Sequence, residues 1–469
     1  MRAGHQLGHR LVVPHRRWLG RPLTRKEVAM STGSANVPTR SATSRVVGAS
    51  LVGTTVEWYD FFLYGSAAAL VFNKLFFPAG DPLIGTMLAF ITYAVGFVAR
   101  PLGGLVFGHY GDRLGRKKLL VLSLVLMGGA TFLIGLLPTF QTIGLAAPLL
   151  LTLLRLIQGF AIGGEWGGAV LIVSEHGSAK HRGFWASWPQ AGVPLGNLLG
   201  TAVLAVLAAV QSDEAFLAWG WRIAFLLSGV LVLIGLWVRL AVAESPLFVE
   251  AARKAAEEGT EQHAPIMEVL SRYKREVLIA MGARFAENVV YYVLTSFVLT
   301  YVATFLELPR SVALNASLIA AIVHFLSIPL WGALSDRVGR RPVYLVGAVG
   351  TGLWAFVFFT MLDTKSFFVI TFATTVGLVF HGAMYGPQAA YFAELFGTRV
   401  RYSGASIGYQ LASIVAGSLA PIIATALLAA FGSSLPISIY VALCSVITII
   451  AVVVSPETRT RDLAADHAV

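Results

Sequence analysis

The chain has 469 residues, 56% of them hydrophobic and only 13% charged, and its mean hydropathy of +0.73 exceeds what a soluble core absorbs, so most of its helices must face lipid. The formal net charge of +11 would suggest nucleic acid in a soluble protein, but here Lys and Arg lie in short segments between apolar runs and read as membrane topology. Cys444 is the only cysteine and lies inside an apolar run, which excludes a disulfide framework and a thiolate metal site within one chain.

Residues 1–45 are rich in Arg, His, Pro and Ser, contain no apolar core long enough for a secretory signal, and read as a disordered basic cytoplasmic arm. Met30 opens a Ser/Thr-rich stretch that reads as an ordinary start, with Met1 the alternative. A spanning helix needs about 20 mostly apolar residues. Twelve stretches qualify: 47–72, 84–107, 119–137, 145–173, 184–210, 221–242, 277–305, 311–333, 343–361, 366–392, 403–430 and 434–455. The even-numbered connections are basic, with Arg113, Arg116, Lys117, Lys118, Arg253, Arg340, Arg341 and others, whereas the odd-numbered ones offer only Lys74, Arg310 and Lys365. Translocated short loops are poor in Lys and Arg, so both termini are expected in the cytoplasm. The expected organisation is an N-terminal six-helix half at 46–242, a cytoplasmic linker at 243–276, a C-terminal six-helix half at 277–455 and a cytoplasmic tail at 456–469.

The halves repeat. Gly108-His-Tyr-Gly-Asp112-Arg113-Leu-Gly115-Arg116-Lys117 follows the second span, and Gly332-Ala-Leu-Ser-Asp336-Arg337-Val-Gly339-Arg340-Arg341 follows the eighth, at an offset of 336 − 112 = 224. Glu175 with Arg182, after the fourth span, matches Glu394 with Arg401, after the tenth, at 394 − 175 = 219. Parallel repeats related by an axis along the membrane normal place a binding site between the halves, near the midplane.

The duplicated loop resembles the signature of the major facilitator superfamily. Glu57-Trp-Tyr-Asp60-Phe-Phe-Leu-Tyr-Gly65, the Arg155-Leu-Ile-Gln158-Gly159 segment running on through Glu165-Trp166-Gly167-Gly168, and Glu244-Ser-Pro246 resemble, more narrowly, its metabolite:proton symporters. These include carriers of proline and glycine betaine, shikimate, α-ketoglutarate and citrate. The resemblance covers about Ser44 to Glu457. It implies an all-α membrane protein of twelve helices in two pseudo-symmetric halves, working by alternating access, with the first, fourth, seventh and tenth helices lining the cavity. Uptake of a small organic solute with protons is the activity implied; a uniporter or antiporter is the alternative. Gly192-Val-Pro194-Leu-Gly196 departs from the Gly-Pro pairing of the superfamily's drug antiporters.

A charge at the bilayer centre costs about 2.5 to 3.5 kcal/mol on insertion scales, so each one needs an explanation. Glu57 and Asp60 are three apart on one face of the first helix. Sharing a proton relieves both their repulsion and their desolvation, unless each is locked to an Arg or a helix N-terminus. Arg155 and Gln158 form a second face, with Glu165 further along. Arg155 does not deprotonate, so it serves either as a counter-ion whose partner gains and loses a proton or as half of a fixed ion pair. The Gly159, Gly163, Gly164, Gly167 and Gly168 series lets another helix approach closely.

Arg284, Glu287, Asn288 and Tyr291 make one polar stripe on the seventh helix. Arg284 is either an anion site there or the internal partner of Glu287. His381, Tyr385 and Gln388 suit a cavity wall in the tenth helix, while His324 reads as a satisfied core histidine. Trp58, Tyr59 and Tyr64 either stack on a quaternary ammonium or pack helices. The repeated loops read as gates, with Asp112 and Asp336 accepting from Arg113, Arg337 or a neighbouring helix N-terminus, and with Gly108, Gly115, Arg116, Gly332, Gly339 and Arg340 at fixed positions around them. No metalloprotease or phosphate-loop motif occurs, nor a Gly-x-Ser-x-Gly with partners, and a linker of about 30 residues is too short for a signalling domain. The remaining expectations are a monomer in the lipid bilayer of a bacterial inner membrane, protons as the coupling ion, and no cofactor, metal or nucleic-acid partner.

Overall fold

The computed structural model describes residues 40–78, 81–114, 116–163, 173, 179–241, 269, 271–397 and 401–461. Most of the expected arm and linker, and residues 462–469, lie outside this set. All regular structure among the described residues is helical. Helix α1 is Arg40–Ala67, continued through a π-helical turn, Ala68–Phe72, to Asn73–Leu75. Then follow α2 (Pro82–Leu114), α3 (Arg116–Leu136), α4 (Ala146–Ile162), α5 (Arg182–Val210), α6 (Asp213–Trp237), α7 (Lys274–Phe305), α8 (Arg310–Val338), α9 (Arg340–Leu362), α10 (Phe367–Leu395), α11 (Arg401–Ala412, with Ala420–Phe431 beyond a π turn) and α12 (Leu435–Val454). Nine helices among the described residues are long and apolar enough to cross a membrane, and two more, Val121–Leu136 and Ala146–Ile162, are apolar but shorter. With α1, which carries Glu57 and Asp60, they account for all twelve expected spans.

Position in the bundle follows composition. About 83% of the most apolar window of α7 is buried, against 28% in α6 and 39% in α9 and α12. The outer helices accordingly turn residues such as Leu233, Trp237, Leu353 and Leu443 outward, as helices do when lipid replaces water. The halves meet most extensively through α5 on α8, with α2 on α11 as the pseudo-symmetric counterpart. The duplication extends to backbone irregularities. A π turn at Val293–Phe297 in α7 matches Ala68–Phe72 in α1, with 293 − 68 = 225, one residue from the loop offset. Such turns replace i→i+4 by i→i+5 bonds and re-aim the side chains beyond them.

Glycines set the closest approaches. A Cβ on Gly159 would stand 1.9 Å from the Gly96 carbonyl oxygen, and one on Gly163 1.9 Å from that of Arg100, so α2 and α4 touch backbone to backbone. Gly164, Gly167 and Gly168 lie outside the described residues.

Candidate functional site

The polar stripe of α7 faces α8, α10 and α11. The Arg284 guanidinium donates from Nη1 to Glu287 Oε2 at 3.0 Å and to Gln388 Oε1 at 2.8 Å, donates from Nε to Ser413 Oγ at 3.2 Å, and lies 3.2 Å above the Tyr409 ring. Ser413 opens the π turn of α11. Asn288 donates to the same hydroxyl at 3.3 Å. In this conformation Arg284 is therefore the internal partner of Glu287, both being buried.

Glu287 is satisfied on both oxygens. Gln388 Nε2 reaches Oε2 at 3.2 Å, and His381 Nε2 lies 3.1 Å from Oε1. His324, read from the sequence as a satisfied core histidine, is buried and extends the row: its Nε2 lies 2.9 Å from His381 Nδ1. One tautomer set satisfies the row, with His381 donating from Nε2 to Glu287 and accepting at Nδ1 from His324. His324 Nδ1 is left buried without a hydrogen-bond partner. Its link to His381 was hidden because the two are 57 residues apart; a histidine inside an apolar span is the only sequence signal.

In the first half, Asp60 is buried and accepts from the Ser228 hydroxyl. Glu57 is buried one turn away. Arg155 donates to Gln158 Oε1 at 2.9 Å, and Gln158 donates to Thr131 Oγ1 at 2.6 Å. No carboxylate among the described residues pairs with Arg155. Instead it lies over Phe61, Tyr64 and Tyr93 at 4.3, 4.4 and 4.5 Å. Of the two readings of Trp58, Tyr59 and Tyr64, packing fits this conformation, since Arg155 covers Tyr64 and Arg100 covers Trp58 at 5.5 Å. Arg100 was missed in the sequence, although a cation within the apolar run 84–107 is itself a signal. Glu165 lies outside the described residues.

Trp58, Val193, Arg284, Glu287, Tyr292 and His381 are among the residues around a void of ≈ 220 Å³ between the halves. Only about 10 Å³ of it admits the centre of a water-sized sphere, room for roughly one water, so the cavity is nearly closed. Ties between the halves stand at both ends. At the end bearing the repeated loops, Arg182 meets Glu394 at 3.0 Å, and Asp336 accepts from the first backbone N–H groups of α5, Gly183 at 2.8 Å and Phe184 at 2.9 Å. A carboxylate there satisfies orphan donors and the helix dipole together. At the opposite end Arg310 of α8 pairs with Asp213 of α6.

The geometry explains the loop motif. A Cβ on Gly332 would stand 2.6 Å from the Gly183 carbonyl oxygen, and Gly339, at φ +121°, turns the chain from α8 into α9. That turn sends Arg340 inward, where it pairs with Asp336 at 2.8 Å and Glu394 at 3.0 Å, whereas Arg337 is exposed. Of the first-half copy, Gly108, Asp112, Arg113 and Arg116 lie on α2 and α3 with side chains outside the described residues, and Gly115 lies outside them altogether.

The family model described as "Sugar (and other) transporter" matches residues 46–468. The chain belongs to that family, within the major facilitator superfamily. Its sequence is 44% identical over 395 residues to the shikimate transporter of Escherichia coli K12, covering 84% of this chain and 90% of that protein. It is 39% identical over 425 residues to the inner membrane metabolite transport protein YhjE of the same organism, covering 90% and 96%, and 34% identical over 434 residues to its proline/betaine transporter, covering 89% and 84%. Among solved structures, the proton:xylose symporter XylE bound to a bromo-deoxyglucose superposes with a TM-score of 0.70 at 17% identity, over 90% of this chain and 98% of that one. The protein is thus a multi-pass membrane transporter of small organic solutes, not an enzyme.

The transporter's last described segment reinforces the tied end. Glu457 accepts from the backbone N–H groups of Arg340, Arg341, Thr458 and Arg459 at 2.9 to 3.0 Å. Burial pushes its pKa up, but these four donors outweigh that and hold the carboxyl below its ordinary value. A depressed carboxylate stabilises the fold above its unfolded pKa, roughly 4.3, and that contribution is lost as pH falls through the folded value. Glu457→Gln is therefore expected to lower the thermal midpoint of detergent-purified protein at pH 7, with the gap to wild type closing as the pH is taken below about 4.

Proposed function

We propose that this transporter is a proton symporter that takes up a small organic metabolite or osmolyte, of the proline/glycine betaine type or a carboxylate such as shikimate or a dicarboxylate, across a bacterial inner membrane. It works as a monomer by alternating access, with both termini in the cytoplasm, protons as its coupling ion and no other cofactor. The observation that carries this reading is the buried row His324–His381–Glu287 beside Arg284, on the wall of the cavity between the halves.

The row is built to move a proton. A proton taken up at His324 Nδ1 releases the Nε2 proton to His381 Nδ1, and His381 Nε2–H then passes to Glu287, which becomes neutral while both imidazoles return to their starting charge. Neutral Glu287 no longer holds Arg284, so the guanidinium turns to the solute. Protonation and solute binding then favour the same conformational change, which is what coupling requires. Asp60, with Glu57 one turn away, is the second buried acid, held in the first half by the Ser228 hydroxyl. The shikimate and proline/betaine transporters among the relatives support a metabolite carrier, and their spread keeps the solute class wide.

The test is uptake into proteoliposomes of labelled shikimate, proline, glycine betaine and 2-oxoglutarate, with and without an inward proton gradient. Gradient-dependent accumulation of at least one solute, strongly reduced by Asp60→Asn, is the expected result. Equilibration that ignores the gradient would make the protein a uniporter or antiporter.

A further inference from the structure

Two buried arginines of the first half are not used by the proton row. Arg100 of α2 is 1% exposed and Arg155 of α4 fully buried. Both lie 4.3 Å from the Phe61 ring centroid, and Arg100 also covers Phe97 at 4.3 Å. On each, Nε and Nη2 are buried without a hydrogen-bond partner. Neither forms an ion pair among the described residues, in contrast to Arg182, Arg284 and Arg340, which do.

Ring faces recover only part of the cost of such burial, about 2 kcal/mol or more for a desolvated cation–π contact, and leave four donor nitrogens without a hydrogen-bond partner. Guanidinium forks of this kind match a carboxylate's two oxygens. The dyad also lies next to the cavity: Arg100 covers Trp58, and Phe61 and Phe97 pack on Tyr292 at 6.4 and 5.4 Å, Trp58 and Tyr292 both facing the void.

We propose that Arg100, backed by Arg155, adds a first-half anion-binding fork to the solute site alongside the Arg284 guanidinium of the second half, and that the solute is a small organic anion bearing a carboxylate with no compensating ammonium. The same two positive charges that bind a carboxylate repel a quaternary or secondary ammonium placed near Trp58 or Tyr64. A zwitterion or betaine is thereby selected against. This inference rests on the transporter reading and not on proton coupling, so it is tested by binding, with no gradient present.

Full-length protein in detergent is titrated with labelled shikimate and 2-oxoglutarate, then challenged with unlabelled proline and glycine betaine. At least one carboxylate is expected to bind and to resist displacement by either zwitterion. Arg100→Gln is expected to weaken that binding about 10- to 100-fold, the range of a lost charge-assisted hydrogen bond. Displacement by betaine or proline at concentrations matching the carboxylate's own would overturn the proposal, as would an Arg100→Gln affinity within twofold of wild type. Should Arg100→Gln not purify as a single species, Arg100→Lys keeps the charge but loses the fork. It must then weaken carboxylate binding several-fold, and unchanged affinity counts against the dyad. Carboxylate binding that meets these criteria in protein whose proteoliposome uptake ignores the gradient separates this inference from the proton-coupling reading.

Discussion

Glu287→Gln is expected to abolish gradient-driven accumulation and to destabilise the protein. The amide cannot carry the proton that the proposed row passes on from His381, 3.1 Å away, and it leaves the Arg284 charge buried without its partner. Removing one member of a buried pair costs about 3–5 kcal/mol, whereas removing both is often close to neutral. The double variant Arg284→Gln/Glu287→Gln is therefore expected to recover most of the thermal midpoint lost by the single one, and yet to accumulate nothing. Thermal melting in detergent and uptake in proteoliposomes read the two effects separately. A double variant that both recovers stability and accumulates solute like wild type would reduce the pair to a structural contact.

Hydropathy marked the lipid slab well and the helices less well. The ninth span, expected at 343–361, is α9 at Arg340–Leu362, a close match. At the basic end, however, α2 runs to Leu114 and α8 to Val338, beyond the expected 107 and 333, because a helix keeps its backbone bonds after its side chains have left the apolar layer. In the same way α6 starts at Asp213, eight residues before 221, with Asp213 and Glu214 placed favourably at the helix's positive end. The stripe on α7 was legible since its members are three and four apart, the spacing of one helical face. What joins it to His381, Gln388 and Ser413 was not, because those contacts span 94 to 129 residues. In the loop motif the sequence offers three arginines, and only the backbone turn at Gly339 decides that Arg340 rather than Arg337 or Arg341 meets Asp336. Arg100 and Arg155 needed the structure for a different reason: their significance lies in contacts they lack, and a sequence does not display an absent partner.

Gly183→Ala is expected to hold the transporter open at the end that carries the repeated loops. A Cβ at this position would stand 2.6 Å from the Gly332 carbonyl oxygen, 2.8 Å from Ser335 Oγ and 2.3 Å from an Arg340 nitrogen. The guanidinium can swing aside, but the carbonyl is backbone of α8 and cannot move without parting the helices. The clash exists only while α5 and α8 are in contact, so opening that end relieves it, and each half keeps its own core. Overpacking of this kind costs about 1–3 kcal/mol, which shifts a two-state equilibrium roughly 5- to 150-fold. The native Cys444 is 3% exposed, so a cysteine introduced at Val193, on the cavity wall, reports access with little background. Maleimide labelling of Val193→Cys from the basic end is expected to accelerate in the Gly183→Ala background, while solute uptake falls because the cavity no longer closes on that side. Unchanged labelling with normal uptake would mean that the Asp336 cap on α5 and the Arg182–Glu394 tie are not what shuts this end, and the closed gate would have to be sought in the first-half copy around Asp112.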